Sequence, residues 1–472
     1  MELIQGGMGV AVSSWRLARA VSALGHLGVV SGTALDVVLA RRLQLGDPDG
    51  NIRRAFDAFP DAGLAGEVLK RYHVTGGQRA DAPFRSVPMF SARPSLRLES
   101  LAVLAGFVEV FLAKEGHHGQ VGINFLQKVQ LPTPAILYGA LLAGVDYVLV
   151  GAGIPREIPQ LLDRLVDHDT AEIPLHVAGA LPGERFTLSF DPSAVFPKKG
   201  MAPLTRPRFL AIVSSATLAA SLARNGSRVD GFVVEHHTAG GHNAPPRGRS
   251  TLSGTGEPAY GPRDAVDFER MREIGLPFWI AGGSGTPHGL VDAKREGAAG
   301  IQVGTLFAFC RESGLDPKLR AEVLAQVRSG ATQVVTDPLA SPTGFPFKVV
   351  QIDGTLSQDE IYAARERRCD LGYLREIYRR PDGTLGYRCP GEPVADYLKK
   401  GGTVEETRGR KCVCNGLLAA AGFAQRREGR PEPAIVTAGA GLAEIAGLLR
   451  GRHSYSASDV VAYLTGPTGR DR

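Results

Sequence analysis

The feature that most limits what this chain can become is a rhythm. From the N-terminus to about Phe309, short apolar or β-branched runs alternate with helical stretches, and most of the runs end in glycine. Eight runs read as strands: Leu3–Gln5, Gly28–Ser31, Val121–Phe125, Asp146–Val150, Phe209–Val213, Gly231–Glu235, Pro277–Ala281 and Gly300–Val303. Helical stretches such as Trp15–Leu24, Leu98–Lys114, Pro134–Ala143, Ile154–Val166, Ala216–Arg224, Ala265–Ile274 and Pro287–Arg295 lie between them. Strands separated by helices pair in parallel, and eight such units predict a closed TIM (β/α)8 barrel. The 59 glycines among 472 residues follow no collagen-like period, so they are available for the tight strand-to-helix connections this architecture consumes.

Two segments interrupt the rhythm. Ile173–Ala180 and Phe186–Phe190 read as extra strands before the proline-rich stretch Phe196–Pro207, which together make an insertion at about 173–207. Asn243–Pro262 is long, glycine-rich and irregular, the kind of loop that is usually functional or mobile. The barrel is expected to occupy residues 1–313. After about Gly314 the chain becomes basic and mostly helical, beginning with Asp316–Arg328. Capping-box patterns stand at Ser357-Gln358-Asp359-Glu360 and Ser456-Ala457-Ser458-Asp459. Residues 314–472 therefore read as a separate, mainly helical C-terminal domain, with only the last few residues disordered.

Charge and cysteine usage bound the partners. A net charge of +6, from 54 basic and 48 acidic residues, does not imply nucleic acid. No apolar run approaches the ~20 residues that span a bilayer, and MELIQGGMGV lacks the build of a signal peptide. A soluble cytoplasmic protein is expected, with no membrane partner. Five cysteines, none before Cys310, argue against a disulfide framework. Cys369, Cys389, Cys412 and Cys414 raise the question of a metal. Their gaps of nineteen, twenty-two and one residues match neither a zinc ribbon nor a ferredoxin, so they read as reduced, partly buried thiols and no metal is expected.

In a βα barrel the site forms at the carboxyl ends of the strands, with phosphate on the loops after the seventh and eighth. Those loops carry Ala281-Gly282-Gly283-Ser284-Gly285 and Gln302-Val303-Gly304-Thr305. Bare backbone lets N–H groups approach phosphate oxygens, and the helix beginning near Pro287 adds its positive end. There is no P-loop, and Gly151-Ala152-Gly153 lacks the third glycine of a dinucleotide fingerprint, so the expected cofactor carries one phosphate, as FMN does. Gln5-Gly6-Gly7-Met8-Gly9 and Gly122-Ile123-Asn124 can flank a flavin ring. After the sixth strand, Gly240 and Gly241 permit close approach and His242 would project over the ring. An imidazole suits proton transfer because its ordinary pKa of ~6.5 is near working pH.

These motifs, Ile4-Gln5-Gly6-Gly7-Met8-Gly9, Val121-Gly122-Ile123-Asn124, Ala239-Gly240-Gly241-His242, Ile280-Ala281-Gly282-Gly283-Ser284-Gly285 and Ile301-Gln302-Val303-Gly304-Thr305, together resemble the nitronate monooxygenase family, formerly called 2-nitropropane dioxygenases. They are also similar to the FMN-dependent enoyl-acyl carrier protein reductases. The resemblance covers roughly residues 1–310. It implies an FMN-bound barrel with His242 as catalytic base or proton donor and Asn124 contacting the flavin. Gly282, Gly283, Gly304 and Thr305 would hold its phosphate, and Gly6, Gly7, Met8, Gly240, Gly241, Gly285 and Gln302 complete the expected cofactor site. The implied reaction oxidises an alkyl nitronate with oxygen to a carbonyl compound and nitrite. The alternative is reduction of an enoyl thioester in fatty-acid or polyketide synthesis; a second is a non-catalytic flavin-binding or scaffold protein. The insertion, the long loop after His242 and the C-terminal domain depart from the simpler family members and put the substrate in doubt more than the cofactor.

Other residues carry weaker readings. His236 and His237 are adjacent, so at most one faces the barrel mouth, and both read as structural. Glu235 could orient a histidine or equally form a buried ion pair. Arg247 and Arg263 could contact an anionic substrate. The basic residues Arg365, Arg367, Arg368, Arg379, Arg380, Lys399, Lys400, Arg408, Arg410 and Lys411 read mostly as a solvated helical surface, with docking of an acidic acyl carrier protein as the sharper alternative. A homodimer is allowed.

Overall fold

A computed structural model describes residues 1–195, 201–224, 228–248 and 251–466. Eight parallel strands close into a barrel: Leu3–Gln5, Leu27–Ser31, Val121–Leu126, Tyr147–Gly151, Arg208–Val213, Gly231–Glu235, Phe278–Ala281 and Gly300–Val303. The last pairs back onto the first, with Leu3 opposite Ile301 and Gln5 opposite Val303. This is the expected TIM-type barrel, and each of its strands lies within one residue of the run that announced it. The interior is filled by Ile4, Leu27, Val29, Tyr147, Leu149, Leu210, Val233 and Trp279, all buried, so the barrel is a packed core rather than a channel.

Three helices between the second and third strands, Leu35–Gln44, Asn51–Asp57 and Ala62–Tyr72, have no counterpart in the sequence reading. The first of them is buried along nearly its whole length, so it lacks the one-sided apolar stripe that marks a surface helix. The expected inserted strands form an antiparallel pair, Ala171–Pro174 with Thr187–Phe190. Part of the proline-rich stretch, 196–200, and the terminal residues 467–472 lie outside the described residues. Among the described residues no helix is long and apolar enough to cross a membrane.

The region after Gly314, expected as a separate and mainly helical domain, mixes helices with short strands and packs onto the barrel. Its helices Pro317–Ser329, Val413–Ala420 and Ala457–Thr465 are accompanied by antiparallel ladders, Val334–Asp337 with Phe347–Val350 and Glu376–Arg379 with Leu385–Arg388. Phe347, Leu418, Ile435, Tyr455 and Val460 belong to the same buried cluster as the barrel's outer helices. Polar ties reinforce the union. The Tyr455 hydroxyl donates to the Leu306 carbonyl at 2.7 Å and that of Tyr373 to Asp36 at 2.6 Å, both buried.

Of the two capping boxes, Ser456 forms as expected, its Oγ accepting from Asp459 N–H while Asp459 accepts from Ser456 N–H. At Ser357 the reading fails. That hydroxyl accepts instead from Ile352 N–H at 3.0 Å, and Gln358 becomes the cap of Asp359–Ala364. A nearby turn outcompetes the helix end for the same oxygen.

Candidate active site

One large cavity, about 260 Å³, opens at the carboxyl ends of the barrel strands. The expected cofactor and catalytic residues border it: Gly6, Gly7 and Met8 from the first strand's end, Asn124 from the third, Gly240, Gly241 and His242 after the sixth, Gly282, Gly283 and Gly285 after the seventh, and Gln302, Gly304 and Thr305 at the eighth; Gln5, Gly122 and Ile123 do not. His236 and His237 do not. His237 stacks on Tyr260 with ring centroids 4.0 Å apart, and His236 packs near Phe268. Arg247 is tied to backbone, its guanidinium donating to the carbonyls of Arg263 and Ser214.

The glycine loop after the seventh strand is shaped for an anion. Gly282 and Gly283 hold φ of +84° and +78°, a region that an L side chain enters only at a cost. A Cβ on Gly282 would sit 2.9 Å from Ala239 N and 3.0 Å from the His236 carbonyl. The N–H groups of Gly283, Ser284 and Gly285 have no acceptor among the described residues. Successive unpaired N–H groups form a concavity that favours negative charge. The expected helix contributes less, since it begins only at Gly289 and is seven residues long. At the cavity floor, Gln302 Oε1 is buried without a partner, a polar atom that a ligand could satisfy.

His242 borders the same cavity from the loop after the neighbouring sixth strand, held by residues far away in sequence. Its Nε2 lies 2.7 Å from Ser341 Oγ, and its ring meets Phe347 edge-on at 4.8 Å. Ser341 is fully buried and its hydroxyl also meets Thr343 Oγ1 at 2.9 Å. The backbone is gripped as well: Lys348 N–H donates to Gly241 O at 3.0 Å, Asn243 N–H to Pro346 O at 2.9 Å and Gly241 N–H to Thr437 Oγ1 at 2.8 Å. Gly240 has no room for a Cβ, which would lie 2.9 Å from Ala438 C. These two glycines serve contact with the C-terminal segments that cover the cavity, its roof, at least as directly as they serve a ligand. Burial, and then the cation of Lys128, push the His242 imidazole down to about 4, so it is neutral at working pH.

Two further ionisable groups stand at the cavity or near His242. Glu235 ends the sixth strand and borders the cavity, with neither an ion pair nor a hydrogen bond among the described residues; desolvation pushes its carboxyl up to about 7. It therefore neither orients a histidine nor pairs with a cation. Lys128 follows the third strand, lies 3.4 Å from the centre of the Phe345 ring, and is pushed down to about 8 by burial without a carboxylate partner among the described residues. Sequence reasoning missed Lys128, Ser341, Phe347, Tyr373 and Thr437. The only signal for the roof was the turn-rich run Ser341-Pro342-Thr343-Gly344-Phe345-Pro346, which marks a bend but not its destination. The basic residues also need correction. Arg365 is buried against Glu432 at 2.5 Å, and Lys411 is buried near Asp337, so neither belongs to a solvated surface.

The stretch holding the fifth to eighth strands and the histidine loop is similar to a known family. Residues 201–338 match the family model of nitronate monooxygenase. The match supports an oxidoreductase in the manner of that flavin-using family, and the remainder of the chain, including most of the roof, lies outside it. No curated protein matches the chain. Among solved structures, FabK from Thermotoga maritima is similar at 15% identity, covering 98% of this chain and 90% of that one with a TM-score of 0.47. Nitroalkane oxidase from Streptomyces ansochromogenes is similar at 16% identity, covering 100% and 96% with a TM-score of 0.42. The enoyl reductase domain of MlnA from the macrolactin biosynthesis cluster of Bacillus amyloliquefaciens is similar at 12% identity, covering 97% and 92% with a TM-score of 0.44.

Proposed function

We propose that this chain is an FMN-dependent oxidoreductase of the nitronate monooxygenase kind, acting on alkyl nitronates with oxygen to give a carbonyl compound and nitrite. The observation that carries the reading is an anion-shaped glycine loop and a neutral, buried His242 bordering one cavity. The residues present fit the cofactor: unpaired N–H groups at Gly283, Ser284 and Gly285 suit its phosphate, and the orphaned Gln302 Oε1 suits a ring N–H. Gly6, Gly7, Met8, Asn124, Gly304 and Thr305 would complete the hold. Bound FMN would supply the electron transfer that no side chain can.

The chain's own residues then handle protons and exclude water. Where the substrate arrives as the neutral nitroalkane rather than the nitronate, neutral His242 can accept the proton from the carbon beside the nitro group, with Ser341 fixing the ring. The C-terminal residues that line the cavity limit its contact with bulk solvent, which strengthens polar contacts beneath them. Glu235, uncharged below its raised pKa, can hold a proton at the cavity wall.

A second reading is favoured by the roof itself. Leu374, Val413, Leu417, Ile435 and Val436 give the cavity an apolar side, and Lys128 sets an unpaired cation near His242. An acyl chain on a phosphorylated carrier, from an acyl carrier protein, suits those features, so an enoyl thioester is the alternative substrate. Absorbance of the purified protein tests the cofactor, and a colourless folded protein that refuses FMN defeats both readings. Oxygen uptake with a nitronate and no pyridine nucleotide supports the first. Rapid NAD(P)H oxidation only with an enoyl thioester supports the second.

A further inference from the structure

The four cysteines that looked unrelated in sequence border one small cavity. Cys369 comes from the loop after the helix Asp359–Ala364, Cys389 follows the strand Leu385–Arg388, and Cys412 and Cys414 open the helix Val413–Ala420. All four are free thiols. The cavity is about 10 Å³, the room of one water-sized sphere, which accommodates a single ion but not a four-iron cube.

The surroundings are those of sulfur meant to carry charge. Backbone N–H groups of Tyr373 and Leu374 donate to Cys414, that of Asn415 donates to Cys412, and Cys369 and Cys389 share a hydrogen bond. Arg375 borders the cavity beside Cys369, and Arg365 lies near Cys412. Asn415, 1% exposed, borders the cavity with Oδ1 unpartnered, while its Nδ2 approaches Cys412 Sγ at 3.5 Å. Thiolates at this cavity would bind a divalent cation in place of their protons. The local chain has need of such a staple, because its helices and strands here are mostly only four to six residues long.

We propose that Cys369, Cys389, Cys412 and Cys414 form a tetrathiolate site for one zinc ion, built into the wall of the large cavity. Among the described residues no three His, Cys, Asp or Glu groups are already drawn up as ligands, so closing on the ion takes side-chain rotation to the ~2.3 Å of a zinc–sulfur bond. Closed tetrahedral Cys₄ coordination makes the role structural. Leu374, Val413 and Cys414 border both cavities, so the ion would set the position of the apolar wall beside the candidate active site.

The test is elemental analysis of the full-length protein purified without added metal. About one zinc per chain is expected, retained in Cys310→Ser and lost in Cys412→Ser and Cys369→Ser. If those variants fail to fold, titration of the intact protein with a mercurial reagent should release the zinc as four thiols react. Iron with visible charge-transfer absorption would overturn the zinc assignment. Metal-free folded protein would overturn it as well, whether all its thiols titrate or two are missing as a disulfide.

Discussion

Ser341 Oγ lies 2.7 Å from His242 Nε2, joining a buried serine of the C-terminal region to the histidine at the barrel mouth across 99 residues of sequence. The bond fixes the ring's orientation, and its loss leaves the imidazole free to turn. Ser341→Ala should therefore lower kcat by roughly tenfold, the value of about one hydrogen bond, with flavin content unchanged. Steady-state kinetics beside the absorbance ratio of flavin to protein checks this.

His242→Ala should cost roughly 100- to 10,000-fold in turnover, the range for a positioned acid–base group, again without loss of flavin. The pH dependence follows from its depressed pKa. The folded imidazole, at about 4, binds fewer protons than the unfolded one, so stability from this group is whole above ~6.5 and falls as pH drops toward 4. In the wild type, turnover that needs the neutral ring should show no loss from His242 between pH 8 and pH 6.

Glu235 works in the opposite sense. Its carboxyl, raised to about 7 when folded, keeps a proton that the unfolded chain releases near pH 4.5, so its contribution is full below that pH and fades as pH rises through 7. Glu235→Gln should remove the dependence. Thermal melts of flavin-free protein should show the variant gaining on the wild type at pH 8 relative to pH 4.5.

Gly282→Val should weaken FMN binding at least tenfold. A β-branched residue at φ +84° costs about 1–2 kcal/mol in backbone strain alone, and its Cβ would meet Ala239 N and the His236 carbonyl at 2.9 and 3.0 Å. Fluorescence titration of the apoprotein with FMN measures the loss.

Tyr373→Phe should destabilise the union of roof and barrel by about 1–3 kcal/mol, because the buried Asp36 carboxyl, already raised to about 6 by desolvation, loses its donor at 2.6 Å. Denaturant melts should show a lower midpoint in a single transition, since the two regions share one core. A first transition confined to the C-terminal region would contradict that shared core.

The barrel and the cavity's glycines were legible in sequence because their signals are local. A buried parallel strand is a short apolar run, a strand end that must stay bare is a glycine, and the barrel rule supplies the common mouth at which Gly6, Asn124, His242, Gly283 and Gly304 gather. Nothing local marks a residue as the partner of one a hundred positions away. Ser341 on His242, Tyr373 on Asp36, the unpaired state of Glu235 and the convergence of Cys369, Cys389, Cys412 and Cys414 were decided by tertiary packing. The physical reason is that each depends on which surfaces are buried together, and most helices and strands of the C-terminal region are too short to announce which face they turn to the barrel.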